Sequence, residues 1–427
     1  MECSVCAADD RGIREEELLR TLQEALSAER GRLKRVLLLP PDLTRLHSGG
    51  GRIANLCYHL LEGECEVDVM PALGTHAPMT EEECRFMFGD IPFERFFAHN
   101  WRSDVVKIGQ IPAEFVREVS GGLYNEAIDV ELSRRLLSGY DLILSIGQVI
   151  PHEVAGMANH LKNIFVGCGG PRMINATHIV SAFYGVERVM GRDHTPARKL
   201  FDYAAERFLN GLPITYILTV TDAPGDSVRL NGLFMGETRE CFERASALAL
   251  EKNMTYVDSP LQKVVAYLDE AEFKTTWLGN KAVYRTRMAI ADGGELIVLA
   301  PGVQGFGEDP ENDRLIRKYG YCGREKVVRL CETQEDLKRN LSAAAHLIHG
   351  SADGRFAITY CTRHLEKEAV ESVGYRHLPF EAAIARYNPE KLRPGFNLLP
   401  DGEEVYFIPN PALGLWALKG SLDGAGS

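Results

Sequence analysis

The sequence predicts an α/β protein of two domains, each with a central sheet flanked by helices. At 427 residues the chain exceeds the length over which one hydrophobic core usually keeps growing. Strand-sized apolar runs alternate with amphipathic helical stretches along it. Several of those runs end in Gly/Pro-rich turns carrying a histidine or an Asp/Arg pair. In open α/β sheets, ligands sit beyond the carboxyl ends of the strands, so these polar residues are expected to share one crevice.

The first residues, MECSVCAADDRG, are polar and acidic, fit no secretory leader and are expected to fray. Cys3 and Cys6 have redox or metal spacing but no second CxxC pair, so they are read as incidental. Residues 13–30 carry leucines at helical spacing and stop at Gly31. The run VLLLP at 36–40 is a strand entering the loop PPDLTRLHSGGGR, and IANLCYHLLEG is helical. A second strand, CEVDVMPAL at 65–73, opens into GTHAPMTEEE, where Thr80 and Glu83 have capping-box spacing. Residues 140–146 form a third buried strand whose turn delivers His152.

Strand and helix then alternate through PITYILTVTD, TRECFERASALALEK and LQKVVAYLD, and the division is placed between domains 1–265 and 266–427. The second domain is expected to hold a helix at 280–291, the strand ELIVLAP, helices at 309–319 and 333–348, and the strands FAITY and EEVYFIPN. The last residues are left either to dock back on the first domain or to fray.

With 60 acidic against 48 basic residues the net charge is -12, which opposes a nucleic-acid footprint. No apolar run approaches bilayer length. The 10 scattered cysteines read as mostly reduced thiols of a soluble, cytoplasmic protein.

Asp42 and Arg45, three apart in a rigid loop, admit two readings. They form a structural ion pair, or Asp42 orients a catalytic histidine while Arg45 clamps an anionic group, with Thr44 and the glycines at 49–51 allowing close approach. His76, between Gly74 and Pro78, suits proton transfer near neutral pH, metal binding or structural hydrogen bonding. The densest stretch holds His152, His160, Lys162 and His178, with a GCGG turn at 167–170. Lys162, beside Leu161 and Ile164, is a candidate nucleophile or covalent anchor if desolvated, and the glycines could cradle a phosphate. Position 156 is Gly, so no HExxH zinc motif exists here.

DLTR at 42–45, GTHAP at 74–78, His152 and Lys162, then His178, in this order and spacing, resemble the nickel-dependent lactate racemase family. The resemblance continues through APGVQGFGEDPENDRLIRKYGY. It implies two α/β domains with the active site in the interdomain cleft. The implied cofactors are nickel and a pyridinium thioamide/thiocarboxylate mononucleotide, the nickel-pincer nucleotide, attached to Lys162. It implies His178 as the metal ligand, and Thr44, Gly167, Gly169 and Gly170 beside the cofactor. His76 and His152 become proton-transferring bases, Asp42 the support of His76, Arg45 the carboxylate grip, and Lys281 a further substrate or phosphate contact.

The implied partners are a small 2-hydroxy acid and cofactor-maturation proteins, with no nucleic acid and no membrane, and with homo-oligomerisation left open. The implied activity is racemisation or epimerisation of a 2-hydroxy acid by reversible hydride transfer, with two bases because the enantiomers present their hydroxyls differently. Another hydride-transfer or lyase reaction with the same cofactor, or a non-catalytic cofactor-binding homologue, is the alternative. The chain departs from the family's frequent GGxKxxxPG with NHLKNIFVGCGG, and Leu278, beside Trp277, stands where a glutamine is common. His160 reads as a packing residue or a polar contact, and Cys168 as a small hydrophobe.

Overall fold

The computed structural model describes every residue except 30, 223–227 and 422–427. The chain forms two compact units, Met1–Thr177 with Met190–Asn253, and His178–Val189 with Met254–Ser427. A division after residue 265 would cut the strand Leu261–Tyr267, which stays whole in the second unit.

The first unit is built on a six-stranded sheet. Its order is Cys3–Cys6, Arg229–Gly236, Ile214–Asp222, Leu142–Gln148, Arg35–Leu39 and Glu66–Val69. The last four run parallel, and the first two are antiparallel additions at one side. Burial on both faces explains the continuous apolar reading of Arg35–Leu39 and Leu142–Gln148. Helix Glu15–Ser27 buries Leu18, Leu22 and Leu26 at four-residue spacing, and helix Gly50–Leu61 buries Ile53, Ala54, Cys57 and Leu61. Thr80 caps helix Glu81–Phe88 through the full reciprocal box with Glu83.

The amino terminus is ordered rather than frayed: Cys3 pairs with Met235 and Cys6 with Gly232 across the sheet edge. Strand neighbours three apart point to opposite faces, so these two thiols cannot join in a disulfide or a shared metal site.

The second unit has its own six-stranded sheet, ordered Arg376–Pro379, Ala357–Thr362, Ile290–Ala300, Leu261–Tyr267, Glu404–Ile408 and Gly395–Leu398. All pairings are parallel except the last. Two helix expectations change here. The helix expected over 280–291 is the short Lys281–Thr286, because Ile290 already pairs with Leu261 in the sheet. The helix expected over 333–348 is divided at Asn340, whose side chain caps Leu341–His349 by accepting from Ala343 N. Leu415–Leu418 pairs with Met254–Val257 within this unit, while the last residues, 422–427, lie outside the described ones. Among the described residues no helix is long and apolar enough to cross a membrane.

Candidate active site

Three parallel strands of the first unit end side by side. Leu38 is in register with both Val69 and Leu144, so the loops carrying Asp42, His76 and His152 leave the same end of the sheet. Asp42 heads the short helix Leu43–Ser48 and is buried, with Oδ1 accepting the Thr44 hydroxyl at 2.5 Å and the Thr44 N–H at 3.2 Å. Its Oδ2 lies 2.5 Å from Nδ1 of His76. Burial pushes the Asp42 carboxyl up, but the hydrogen bond and charge of His76, the Thr44 hydroxyl and Arg45 outweigh it and hold it below its ordinary value. An ionised partner places the His76 proton on Nδ1, and the half-open ring presents the Nε2 lone pair outward. Arg45 makes no ion pair with Asp42: it reaches the Thr44 oxygens and stays exposed.

Gly74 turns the His76 loop at φ +56°, and its N–H donates to the Gly167 carbonyl at 2.8 Å. That bond seats the His76 loop on the GCGG turn. His152 lies on a two-residue strand paired with Gly156–Met157, and its Nδ1 accepts the Val154 N–H at 3.0 Å.

Lys162 follows two non-glycine residues with left-handed backbone, Asn159 (φ 65°) and His160 (φ 56°). It precedes a single π-helical turn, Asn163–Gly167, closed by Cys168 N donating to Asn163 O at 3.0 Å. Asn163 ties this turn to the strands through Leu39 O and the Ser145 hydroxyl. Lys162 keeps some solvent access but is surrounded by protein, as at the foot of a recess. Burial, then the charges of Arg45 and Arg198, lower its amine to about 8 against the opposing pull of Glu153 and Asp42. Asp42, Arg45, Glu153 and Lys162 thus share one electrostatic neighbourhood, which His76 joins through Asp42.

The glycines of the turn answer to close approach rather than to positive φ. A Cβ at Gly169 would stand 1.9 Å from the Phe165 carbonyl oxygen, and one at Gly170 would stand 2.3 Å from Glu131 Oε2. At Gly167 it would meet Ala72 at 2.9 Å. Cys168 is buried with its thiol pushed up to about 12 by burial, which makes it an inert small hydrophobe.

Three supporting residues escaped the sequence reading. His99 is buried and its Nε2 donates to the Gly169 carbonyl at 2.9 Å. Arg198 is fully buried, holds Met157 O at 2.6 Å and lies 4.4 Å over the Phe242 ring. Glu153, next to His152, acts on Lys162 by its charge. A lone buried His or Arg carries no spacing pattern, so only the fold identifies it. The His160 ring is packed rather than hydrogen-bonded: it stacks on Phe242 and meets Tyr216 at a tilt, and neither nitrogen has a partner.

The remaining expected site residues belong to the second unit. His178 is half-buried on helix Pro171–Tyr184, and Lys281 opens helix Lys281–Thr286 with its ammonium 5.7 Å over the Phe273 ring. Asn280, just before Lys281, is buried and accepts the hydroxyls of Tyr360 and Tyr375 at 2.8 and 3.0 Å. His346 stacks on Trp277 at 4.2 Å and meets the Tyr321 hydroxyl at 3.0 Å. Burial, with His349 nearby, takes it down to about 3, so it stays neutral. Asp193, His194 and Glu243 form the one carboxylate–histidine group of metal-binding size among the described residues, and the Arg239 guanidinium already binds Asp193 and Glu243.

Residues 17–190 match the family model described as lactate racemase N-terminal domain. A crystal structure of a protein from Thermotoga maritima is similar over 97% of this chain and 100% of that one, with 24% identity and a TM-score of 0.81. The lactate racemase apoprotein from Thermoanaerobacterium thermosaccharolyticum is similar over 95% of this chain and 93% of that one, with 16% identity and a TM-score of 0.70. Among curated proteins no sequence matches significantly.

Proposed function

We propose that this chain, which belongs to the lactate racemase family through residues 17–190, is a cytoplasmic racemase or epimerase of 2-hydroxy acids working with a nickel-pincer nucleotide on Lys162. One observation carries the reading: a carboxylate-supported histidine, His76, presents a free Nε2 in the same neighbourhood as a lysine whose amine is lowered to about 8. A binding protein without turnover has no need of an oriented base beside a reactive amine.

The residues present fit the proposed group. Covalent attachment requires a neutral amine, which Lys162 supplies in quantity near pH 8. The glycines at 167, 169 and 170 make room for Ala72, Phe165 and Glu131 of the chain itself, their backbone groups would be what the turn offers a mononucleotide, and His178 would supply an imidazole to nickel. When bound, the group supplies reversible acceptance of hydride from the carbon bearing the hydroxyl.

The chain's own work is recognition and proton handling. Arg45 grips the substrate carboxylate in a forked pair, and Thr44 fixes the loop beneath it. His76 receives the hydroxyl proton at Nε2, and the Asp42 carboxylate offsets the positive charge that then develops on the ring. Lys281 is the further substrate or phosphate contact. His152 attends the substrate oxygen in its other orientation. Its Nδ1 bond to Val154 is the observation that favours a second reading, a one-handed hydride transfer with the same cofactor.

The test is co-production with a cofactor-making system, followed by peptide mass spectrometry, nickel analysis and chiral assay of 2-hydroxy acids. An adduct on Lys162 with bound nickel and inversion of one acid is expected. Unmodified Lys162 and no nickel, beside a lactate racemase control that loads, overturns the proposal.

A further inference from the structure

The second unit holds a cavity of about 680 Å³, and none of the residues expected at the active site lines it. It lies between residues 184–188, the start of helix Arg324–Thr333 and the stretch 351–355, all of them parts of that unit. Six cationic and three anionic side chains line it, in a chain whose net charge is -12. The local excess is positive against the overall sign.

The charges divide into two sets. Arg287, buried, binds Glu187 and Asp353 at 2.9 Å each and the Ser351 carbonyl at 2.8 Å. Arg355 binds Glu187 at 2.5 Å and Asp292 at 2.7 Å, and Arg329 meets Glu325 at 3.4 Å. Every acid of the lining is thereby matched. Arg188, Arg324 and Lys326 remain without a carboxylate partner among the described residues.

Two of these three are already held in place. Nη1 of the half-buried Arg324 donates to the carbonyls of Phe183 at 3.1 Å and Tyr184 at 3.5 Å, while its Nε and Nη2 make no hydrogen bond. Those two nitrogens form the guanidinium edge that meets two oxygens of an anion side by side. The Arg188 guanidinium lies 3.8 Å over the Tyr184 ring. A cation fixed in this way loses little further freedom when an anion docks.

Three unmatched cations around one recess focus positive potential within it. A single carboxylate leaves most of that charge unanswered, whereas a phosphate monoester brings nearly two negative charges and three acceptor oxygens. The space also exceeds what a lone phosphate fills, and Val186, Tyr321 and Ile348 offer apolar surface to a carbon skeleton. We propose that the second unit carries a binding site for a small organic phosphate, with Arg324 as its forked anchor and Arg188 and Lys326 as flanking charges.

The test is titration calorimetry of the full-length, cofactor-free protein at physiological ionic strength, with glycerol phosphate, inorganic phosphate and citrate as probes. Saturable binding of glycerol phosphate, tighter than that of the other two, is expected. Arg324→Gln should raise its Kd about tenfold or more, the effect of losing a charge-assisted hydrogen bond. Because Arg324 also holds the last carbonyls of helix Pro171–Tyr184, the double variant Arg188→Gln/Lys326→Gln, which alters only exposed side chains, is measured beside it and should also bind more weakly. Arg45→Ala, which removes the anion grip expected at the active site, should leave the Kd unchanged. Absence of binding at millimolar glycerol phosphate, a preference for citrate or inorganic phosphate, an unchanged Kd in the double variant, or loss of binding with Arg45→Ala overturns the proposal. No cofactor or turnover enters the measurement, so its result and that of the functional proposal stand or fall separately.

Discussion

At the scale of single residues, the proposed chemistry rests on an amine and an imidazole whose surroundings differ from water. Lys162, lowered to about 8 by burial and by Arg45 and Arg198, is expected to be the most readily acylated lysine of the unloaded protein between about pH 7 and 8. Mass-spectrometric mapping after brief treatment with an amine-acylating reagent across that range checks it. Uniform labelling of all lysines would contradict the lowered amine. Lys162→Ala is expected to retain no covalent cofactor.

His160, two residues away, illustrates a burial whose reason is packing. Its ring is 3% exposed and both nitrogens lack partners, while aromatic rings pack on it. His160→Phe keeps the stack and removes the unpaired groups, so urea denaturation should show a gain of about 1 kcal/mol. A loss of that size would show that the nitrogens matter. From the sequence, Asp42 and His76 could be singled out because each follows a strand or a glycine turn, and Lys162 because apolar neighbours flank it and its spacing resembles the family's. His99 and Arg198 were not, because their roles depend on partners at Gly169 and Met157, far away along the chain.

Among elements, the π-helical turn Asn163–Gly167 and the glycines after it set the direction of Lys162. A methyl at Gly169 collides with the Phe165 carbonyl, a backbone atom that cannot swing aside. Gly169→Ala is therefore expected to destabilise by about 1–3 kcal/mol and to impair loading of Lys162. At Gly63 an added Cβ meets nothing within 4 Å, so Gly63→Ala serves as the control. Calorimetry and adduct mass decide the matter.

The elements easiest to read were those with a local signature. The capping box at Thr80 and the apolar strands Arg35–Leu39 and Leu142–Gln148 needed only their own residues. The antiparallel strands Arg229–Gly236 and Cys3–Cys6 were hidden, because each is a strand by virtue of its sheet neighbour. The helix expected over 280–291 failed for the same reason: pairing with Leu261 claimed Ile290 for the sheet.

For the whole molecule, buried neutral histidines tie stability to pH. His99 and His160 in the first unit and His346 in the second are all held below the ordinary imidazole value by burial. Below about pH 6.5 the unfolded chain binds protons that the folded chain refuses, so stability falls with falling pH, for His346 across the window from about 6.5 to about 3. Asp42, lowered in the fold, acts in the same direction at lower pH. Urea midpoints should drop between pH 7 and 5, and more gently in a His160→Phe/His346→Phe variant. Equal slopes would show that other groups dominate.

The path of the chain between its two units has a consequence for how the protein is made. The backbone leaves the first unit at His178, rejoins it at Met190 and leaves again after Asn253. A ribosome delivering this chain from its amino terminus finishes the first unit while Met254–Ser427 is still unsynthesised, and the segment His178–Val189 must wait for it. Its Ile179, Val180, Val186 and Val189, buried in the finished protein, have no home of their own during that interval. A nascent chain halted after Asn253 is therefore expected to hold this apolar helical segment without the rest of its own unit, and so to be more open to proteases and chaperones until synthesis reaches the second sheet.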